Sequence, residues 1–537
     1  MSNETIRELI REGRTSLGME LGSTRIKAVL LDPACEVLAT GDHGWENRYE
    51  HGVWTYSLED VWNGVAHCYE SLAANVSEQF GIALETIGAI GFSAMMHGLL
   101  CFNDKGDLLT PFRTWRNVNT EKAAADLTET FSFNIPLRWS VAQLWQDILD
   151  GAPHVRDVAF MTTLAGYVHW MCTGEKVLGV GDASGMFPID SATGTYDARM
   201  VQLFNDNARE KGVDVDILSV LPEVRVAGQN AGMLTEDGAR RLDASGRLAP
   251  NIPLCPPEGD AGTGMVATNS VRPRTGNVSA GTSIFAMIVL EKPLEAVHPE
   301  IDIVTTPSGE PVAMVHCNTC TSDINAWVAL MQEVCGLFGA KPSIGDMFGT
   351  LFRKALEADP DGGNLMAYNY YSGEPVTGIE GGAPLLFRQP YSAFTVPNLM
   401  LTFLHSALGT LALGMRILRD EENVAVDVIS GHGGLFKTEK VGQVIMANAL
   451  GCQVRVLATA GEGGAWGIAV LAAFMMRRNP DQTLAGYLDN EVFAEVESVV
   501  VDPDSAGEAS FAKFIKSYED GLPVEAAAVR ALAKMEE

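Results

Sequence analysis

Two stretches of the chain alternate apolar and polar residues up to a glycine turn and again beyond it. The first stretch, residues 16–32, turns at residues 22–24, and the second, residues 276–290, turns at residues 281–283. Alternation with a period of two predicts β-strands, so each stretch is predicted to form a β-hairpin with a turn of glycine and hydroxyl residues. Because the two hairpins lie about half of the 537 residues apart, the pattern indicates a duplicated domain.

The remaining pattern predicts a chain of mixed helices and strands. Apolar positions with helical spacing predict helices at residues 58–80, 121–131, 143–149, 164–171, 201–210 and 399–418. Short apolar runs predict strands at residues 87–93, 424–430 and 454–457, and residues 180–190 are expected to form a loop and a strand. Glycine turns at residues 431–434 and 461–467 follow two of these strands, and the tail beyond residue 484 is expected to be peripheral.

The composition is that of an ordinary globular protein, with 47% hydrophobic and 20% charged residues. The length favours two large domains or three smaller ones. The formal net charge of -30, from 38 basic and 68 acidic residues, argues against a nucleic-acid-binding or anionic-membrane surface. It leaves room for a small anionic ligand, because backbone amides and helix N-termini bind phosphate without a basic patch.

The cysteines and the apolar stretches indicate a cytoplasmic protein. Nine cysteines are scattered along the chain as in a reduced protein, and only Cys317 and Cys320 form a CxxC pair, which is half of a zinc site. The charged N-terminus does not have the pattern of a signal peptide. Residues 399–418 and 465–476 are interrupted by polar residues or too short to span a bilayer, so buried helices are expected.

Asp260 is the first candidate for catalysis. It follows a short apolar run and lies between Gly259 and the glycine-containing residues 261–264. Glycines on both sides allow close approach to a carboxylate, which makes Asp260 a candidate base. On this stretch alone, a turn-forming residue or a helix N-cap is the better explanation of the acid.

A second group of candidates lies at Met96, His97 and Gly98 and at Thr114–Asn117. An aromatic side chain beside planar polar groups suits a neutral polyhydroxylated ligand. A histidine at a strand end is more often structural, so this group is weak by itself.

The glycine turns of the second half allow a dinucleotide-binding dehydrogenase as a rival hypothesis. Both turns miss the GxGxxG spacing, however, and the chain contains no GxxxxGK[ST] motif. Two phosphate-type hairpins and a late glycine turn fit better with the duplicated, hinged fold of sugar kinases, actin and heat-shock ATPases.

Seven motifs together resemble the FGGY carbohydrate kinases, most closely the xylulose kinase branch. They are ELGSTRIKAVLLD (20–32), GFSAMMHGLLCFNDKGDLLTPFRTW (91–115), AGYVHWMCTGE (165–175), GDASGMFPID (181–190), EGDAGTGMV (258–266), SAGTS (279–283) and SGHGGLFKT (430–438). The resemblance covers nearly the whole chain. It implies an α/β protein with two duplicated ribonuclease H-like domains of the actin/hexokinase ATPase type around a central cleft, at residues 1–268 and 269–537.

The resemblance also implies ligands and site residues. ATP and Mg²⁺ are the expected cofactors and a small sugar the expected partner, with Asp260 as the catalytic base in contact with the sugar. The other sugar-binding residues are expected to be Met96, His97, Trp115 and Asn117. Contacts with ATP are expected from Gly22, Ser23, Thr24, Lys27, Gly281, Thr282, Ser283, Gly431, Gly433, Gly434 and Lys437. Glu20 is expected at the metal, directly or through water.

Three positions depart from the family pattern. Glu20 stands where the family usually has Asp, Asn117 where xylulose kinases typically have Asp, and Gln143 where Lys is common. The last two leave the sugar open, because a polar pocket discriminates by the hydroxyls that it leaves unpaired. Xylulose, ribulose, another ketose or a polyol all fit, and glycerol fits less well. A non-catalytic ATP-binding sensor is the rival function, and a homodimer is compatible with the sequence.

Overall fold

A computed structural model describes residues 1–459 and 463–536. Gly461 and Glu462, in the second predicted glycine turn, therefore lie outside the described residues. The chain divides into two compact units, and unit 1 consists of residues 1–271, 303–312 and 462–495. Unit 2 consists of residues 272–302, 313–461 and 496–537. The sequence-based division between residues 268 and 269 stays a prediction, and the two later segments of unit 1 were not foreseen.

The strands are short and are numbered in chain order. They are β1 (Ser16–Leu21), β2 (Arg25–Leu31), β3 (Val37–Gly44), β4 (Arg48–Glu50), β5 (Val53–Thr55), β6 (Ala89–Ala94), β7 (Leu100–Phe102), β8 (Phe160–Thr162), β9 (Val177–Gly179), β10 (Ile189–Asp190), β11 (Thr195–Tyr196), β12 (Glu223–Arg225), β13 (Glu258–Gly259), β14 (Thr275–Ala280), β15 (Ile284–Val289), β16 (Ile301–Thr305), β17 (Pro311–Cys317), β18 (Leu365–Tyr368), β19 (Leu385–Arg388), β20 (Val428–His432), β21 (Gln453–Leu457) and β22 (Ser498–Val501).

The α-helices are numbered in the same way. They are α1 (Asn3–Arg11), α2 (Leu58–Phe80), α3 (Glu121–Phe131), α4 (Ser140–Leu149), α5 (Leu164–Thr173), α6 (Val180–Ala183), α7 (Ala198–Glu210), α8 (Ile217–Val220), α9 (Glu236–Leu242), α10 (Asp260–Ala267), α11 (Ser322–Leu337), α12 (Ile344–Ala355), α13 (Val396–Arg416), α14 (Val441–Leu450), α15 (Gly463–Arg477), α16 (Leu484–Tyr487) and α17 (Ser505–Glu536).

The main sheet of unit 1 has the strand order β13–β6–β1–β2–β3. β1 pairs antiparallel with β2, so that Leu21 lies opposite Ile26 across the predicted turn, and β1 pairs parallel with β6. β13 continues the parallel half of this sheet beside β6. Because parallel strands end at the same edge, the sheet brings the ends of β1, β6 and β13 together.

The seven-stranded sheet, most of whose residues belong to unit 2, has the strand order β16–β17–β15–β14–β20–β21–β22. β14 pairs antiparallel with β15 across the second predicted turn and parallel with β20. Each unit thus contains an antiparallel hairpin whose first strand has a parallel neighbour from later in the chain. This repeated arrangement confirms the predicted duplication of an α/β domain.

Most predicted helices occur within a few residues of their expected bounds, and two expectations need correction. Residues 180–183 form the short helix α6 rather than a loop. The tail is not peripheral, because Tyr518 on α17 is fully buried against Tyr368 and Tyr370 in unit 2. An amphipathic helix can cover a core that precedes it by many residues, and local periodicity does not show which core it covers.

Among the described helices, Val396–Glu421 is long and apolar enough to cross a membrane by length and composition alone. Of its most apolar window, 83% is buried inside the protein. That burial is typical of the core helix of a globular domain, as the sequence predicts.

Candidate functional site

Asp260 begins helix α10 directly after β13, and Gly259 is the N-cap residue. The carboxylate is half-buried, and its Oδ1 atom accepts a hydrogen bond of 3.1 Å from the backbone N–H of Met96. Burial raises the pKa of Asp260, while the N–H groups of Met96 and Ala261 act in the opposite direction. Asp260 is therefore a fixed, partly accessible carboxylate at a helix N-terminus, and the N-cap interpretation is wrong.

The segment that holds Asp260 leaves the end of β6 through a tight left-handed turn. His97 has φ of +69° and Gly98 has φ of +85°, and positive φ at a residue other than glycine marks a constrained backbone. His97 is only 5% exposed, and its Nδ1 atom lies 3.3 Å from the carbonyl oxygen of Gly185. Met96 and His97 thus shape the backbone beside Asp260, and their contact with a sugar stays a prediction.

Glu20 is the second carboxylate at this edge of the sheet. It lies near the end of β1, directly opposite Lys27 on β2, and it accepts a hydrogen bond from the backbone N–H of Ala465. Burial and then the charge of Asp260 raise the pKa of Glu20, whereas Lys27 lowers it. A Cβ atom on Gly464 would lie 2.5 Å from Glu20 Oε1, so a larger residue at this position would displace the carboxylate.

The pair of carboxylates fits a Mg²⁺ ion that arrives with a nucleotide. Within residues 1–459 and 463–536, no group of three or more His, Cys, Asp and Glu side chains is arranged to hold a metal ion. Mg²⁺ in phosphate-transferring enzymes is commonly held by one or two carboxylates, substrate phosphates and water. Glu20, whose charge is disfavoured by Asp260, is a carboxylate of this kind, and its contact with a metal ion stays a prediction.

Two buried acids near Asp260, Glu258 and Asp182, belong to the quoted sequence motifs but were given no role there. Glu258 is 1% exposed and accepts hydrogen bonds from the backbone N–H groups of Gly181 (3.3 Å) and Asp182 (2.9 Å). Asp182 is equally buried and accepts a hydrogen bond of 2.6 Å from Thr163 Oγ1, and its Oδ1 atom has no partner among the described residues. The signal in the sequence for Glu258 and Asp182 was that each carboxylate stands next to a glycine within one of the quoted motifs.

Burial raises the pKa of Glu258 from an ordinary 4.5 to about 8, and this shift predicts a pH-dependent stability. The folded protein keeps a proton that the unfolded chain releases, so stability is lost as the pH rises from about 4.5 to about 8. Each pKa unit corresponds to about 1.4 kcal/mol. Glu258→Gln is expected to flatten this loss, measured as the midpoint of thermal unfolding over this pH range. The exposed Glu236→Gln should keep the wild-type slope, and an equally steep slope in Glu258→Gln would contradict the assignment.

The first predicted phosphate turn, Gly22–Thr24, is held from behind by aromatic residues. Trp45 Nε1 donates to the carbonyl oxygen of Gly22 (2.7 Å), and the hydroxyl of Tyr56 donates to the carbonyl oxygen of Ser23. The backbone N–H of Trp45 donates to the carbonyl oxygen of Thr24 (3.2 Å). The carbonyl groups of the turn are therefore engaged, as is the N–H of Gly22, which donates to the carbonyl oxygen of Arg25 (3.1 Å). Contact of the turn with phosphate stays a prediction.

Trp115 and Asn117 lie on one loop of unit 1 but have different surroundings. Trp115 is 38% exposed, and its Nε1 atom donates to Ser23 Oγ (3.2 Å). Asn117 is buried, and its Nδ2 atom donates to the carbonyl oxygens of Trp54 (2.8 Å) and Thr114 (2.9 Å). Its Oδ1 atom accepts the backbone N–H of Trp54. Both donors of the Asn117 amide are therefore engaged in holding the loop, and its contact with a sugar stays a prediction.

The second predicted phosphate turn, Gly281–Ser283, is held by backbone and hydroxyl groups instead. The carbonyl oxygen of Gly281 accepts from the N–H (3.1 Å) and Oγ1 (2.8 Å) of Thr321, and that of Thr282 accepts from the N–H of Cys320 (2.8 Å). Burial raises the thiol pKa of Cys317 and of Cys320. The backbone of Cys320 and Thr321 therefore supports this turn, and both thiols of the CxxC pair are buried.

The predicted adenosine turn of unit 2 follows β20, which lies beside β14. Gly433 has φ of +100°, and a Cβ atom there would lie 2.5 Å from the carbonyl oxygen of Ala280. A short 3-10 helix, Gly434–Phe436, follows and ends at the exposed Lys437. The turn after Gly431 is thus packed against the strand that leads into Gly281–Ser283.

Two family profiles together match most of the chain. The N-terminal domain of the FGGY family of carbohydrate kinases matches residues 15–266, and its C-terminal domain matches residues 276–476. The chain is 22% identical over 287 residues to the xylulose kinase of Lactococcus lactis, which covers 50% of this chain and 52% of that protein. It is 24% identical over 299 residues to the glycerol kinase of Nitrosomonas eutropha, covering 51% and 53%. The chain thus spans about half the length of these curated relatives.

The fold is similar to that of solved sugar kinases over nearly the whole chain. The ligand-bound xylulose kinase of Lactobacillus acidophilus superposes with a TM-score of 0.77 at 16% identity, covering 96% of this chain and 99% of that one. This likeness confirms the predicted two-domain actin/hexokinase-like ATPase fold and removes the dinucleotide-binding alternative. The chain belongs to the FGGY family of carbohydrate kinases.

Proposed function

We propose that this protein is an ATP-dependent sugar kinase that transfers the γ-phosphoryl group to a hydroxyl of a small neutral sugar, a ketopentose such as xylulose. The observation that carries the proposal is the Asp260 carboxylate, which is fixed at the start of α10 and held by the N–H of Met96. Membership of the family supports the reaction class, and the xylulose kinase among its relatives supports the choice of sugar.

Asp260 acts as the general base in this proposal. A sugar hydroxyl is a poor nucleophile, and a carboxylate that accepts its proton as the phosphoryl group is transferred lowers the barrier. The raised pKa of Asp260 makes it a better proton acceptor than an ordinary aspartate. The hydrogen bond from Met96 keeps one oxygen in place, which leaves the other oxygen for the substrate.

Gly22–Thr24 with Lys27, and likewise Gly281–Ser283, would bind phosphate. The turn from Gly431 to Lys437 would bind adenosine. Glu20 would hold Mg²⁺, directly or through water, and the ion would neutralise charge on the phosphoryl oxygens. The half-buried Glu20 is held by a hydrogen bond from the backbone N–H of Ala465.

The surroundings of Asp260 favour a neutral sugar over a sugar acid. Glu20 is close enough to Asp260 for the charge of Asp260 to raise its pKa, whereas the buried Glu258 keeps its proton up to about pH 8. Like charges repel across a medium of low dielectric constant, so a substrate carboxylate would be disfavoured here. The exposed ring of Trp115 offers an aromatic face of the kind that binds the apolar side of a sugar.

A coupled ADP-release assay tests the proposal directly. The panel consists of D-xylulose, D-ribulose, other ketoses, xylitol, glycerol and D-gluconate, each with Mg²⁺ and ATP. We expect sugar-stimulated ADP formation with a ketose, strongest with D-xylulose, and none with D-gluconate. If no compound stimulates ADP formation, a non-catalytic ATP-binding sensor becomes the better explanation.

Glu20→Gln tests the metal contact. The amide keeps the size of the side chain but loses the charge, so the Mg²⁺ concentration for half-maximal activity is expected to rise about 10- to 100-fold. Glu78, an exposed residue of α2, provides the matched control as Glu78→Gln. A Mg²⁺ dependence that Glu20→Gln leaves at the wild-type value would remove Glu20 from the surroundings of the metal.

A further inference from the structure

The side chain of Trp115 links the proposed sugar site of unit 1 to the proposed phosphate turn of the same unit. Its indole N–H donates to Ser23 Oγ over 3.2 Å, although 92 residues separate the two in the chain. Because 38% of Trp115 is exposed, a ligand can lie on the ring while the N–H holds the hydroxyl.

The other aromatic supports of the Gly22–Thr24 turn are shielded from ligands. Trp45 is 8% and Tyr56 1% exposed, and their rings stack with centroids 4.1 Å apart. Both donate to backbone carbonyl groups of the turn, so we expect them to stabilise its conformation equally with and without a ligand. Trp115 differs, since it is exposed and contacts a side chain of the turn.

The loop that carries Trp115 has a firmly held base. The N–H of Thr114 donates to the carbonyl oxygen of Trp54 (3.1 Å). The amide of Asn117 forms hydrogen bonds with the backbone of both Trp54 and Thr114. The backbone of Trp115 is thus anchored on both sides. What a ligand can order is the indole ring, whose rotamer freedom costs free energy to remove.

We propose that Trp115 is a positioning residue that couples the two substrates. A sugar that stacks on the indole face fixes the indole N–H on Ser23, and the fixed hydroxyl orders the Gly22–Thr24 turn for the phosphates of ATP. The inference rests on the proposed function. Since coupling between two ligands is reciprocal, ATP tightens sugar binding by the same factor.

A double-mutant cycle separates this coupling from a merely structural contact. Trp115→Phe keeps an aromatic face and removes the N–H donor, and Ser23→Ala removes the acceptor. Calorimetry gives the affinity of a non-hydrolysable β,γ-methylene ATP analogue with and without saturating D-xylulose. We expect the sugar to tighten analogue binding in the wild type, and each variant to reduce that enhancement about two- to tenfold. The double variant should lose no more than either single variant.

Two further variants serve as controls. Trp62→Phe removes an indole N–H that donates to the Tyr167 hydroxyl (3.0 Å) elsewhere in unit 1, and it should keep the wild-type enhancement. Tyr56→Phe removes a buried support of the turn, so it should weaken analogue binding equally with and without sugar. By the same reciprocity, Trp115→Phe should reduce the tightening of sugar binding by the ATP analogue by the same factor.

Two results would overturn the inference while leaving the kinase activity intact. One is an unchanged sugar enhancement in Trp115→Phe, and the other is effects of Trp115→Phe and Ser23→Ala that add in the double variant. If D-xylulose does not stimulate the wild type, the most active sugar of the ADP-release panel replaces it. A wild type that responds to no sugar refutes the proposed function, and the premise of the inference with it.

Discussion

Asp260→Asn is expected to lower turnover by about 10²- to 10⁴-fold, the contribution typical of a general base. The amide has nearly the same shape and can still accept the hydrogen bond from Met96, but it cannot take a proton from a sugar hydroxyl. Binding of ATP should stay close to that of the wild type, because the turns that would hold the nucleotide are unchanged. Single-turnover kinetics and calorimetry with the ATP analogue measure the two effects separately.

The pH dependence of the wild type provides a second measure of Asp260. A base works only when deprotonated, and burial raises the pKa of Asp260. The fall of kcat/KM toward acid pH should therefore set in at a higher pH than the ordinary range of aspartate, about 4. Asp104→Asn, at an exposed aspartate of unit 1, is the matched control. Wild-type turnover in Asp260→Asn would exclude this residue as the base.

Gly433→Ala is expected to destabilise unit 2 by about 2–3 kcal/mol and to weaken ATP binding strongly. Gly433 has φ of +100° and ψ of -171°, a region that costs a residue with a Cβ atom on the order of 1–3 kcal/mol. The added Cβ atom would also lie 2.5 Å from the carbonyl oxygen of Ala280, so the turn has to move away from β14. Amide hydrogen exchange of β14 and β20 reports the local destabilisation.

The neighbouring glycine offers a matched control. A Cβ atom on Gly434 would lie 3.9 Å from its nearest neighbour, the same carbonyl oxygen of Ala280. Gly434→Ala should therefore leave hydrogen exchange of both strands near wild type. Equal protection in Gly433→Ala and Gly434→Ala would show that backbone conformation at Gly433 is not the constraint we infer.

The glycine hairpins could be predicted because their determinants are local. β1 and β2 are joined by a three-residue turn, and alternation along a few residues on each side specifies both strands. The same holds for β14 and β15, and for long helices such as α2. Because one such hairpin occurs in each half of the chain, the duplicated fold could be predicted from the hydrophobic pattern and the motifs.

The role of particular side chains could not be predicted in this way. Met96 donates to Asp260 across 164 residues, and Trp115 to Ser23 across 92. Periodicity carries no information about contacts at such separations, because they depend on which strands become neighbours in the sheet. Asn117 is predicted to contact the sugar, yet its amide donates to the carbonyl oxygens of Trp54 and Thr114.

The sequence by itself determined the family, the two hairpins and the position of Asp260 between glycines. Only the tertiary structure decided that Asp260 begins a helix, that Glu20 lies close to it, and that Glu258 and Asp182 are buried behind it. The physical reason is the parallel pairing of β1, β6 and β13, which gathers their ends at one edge of the sheet. Burial at that edge then raises the pKa of each of these acids. This burial depends on which strands become neighbours, so the local sequence pattern does not predict it.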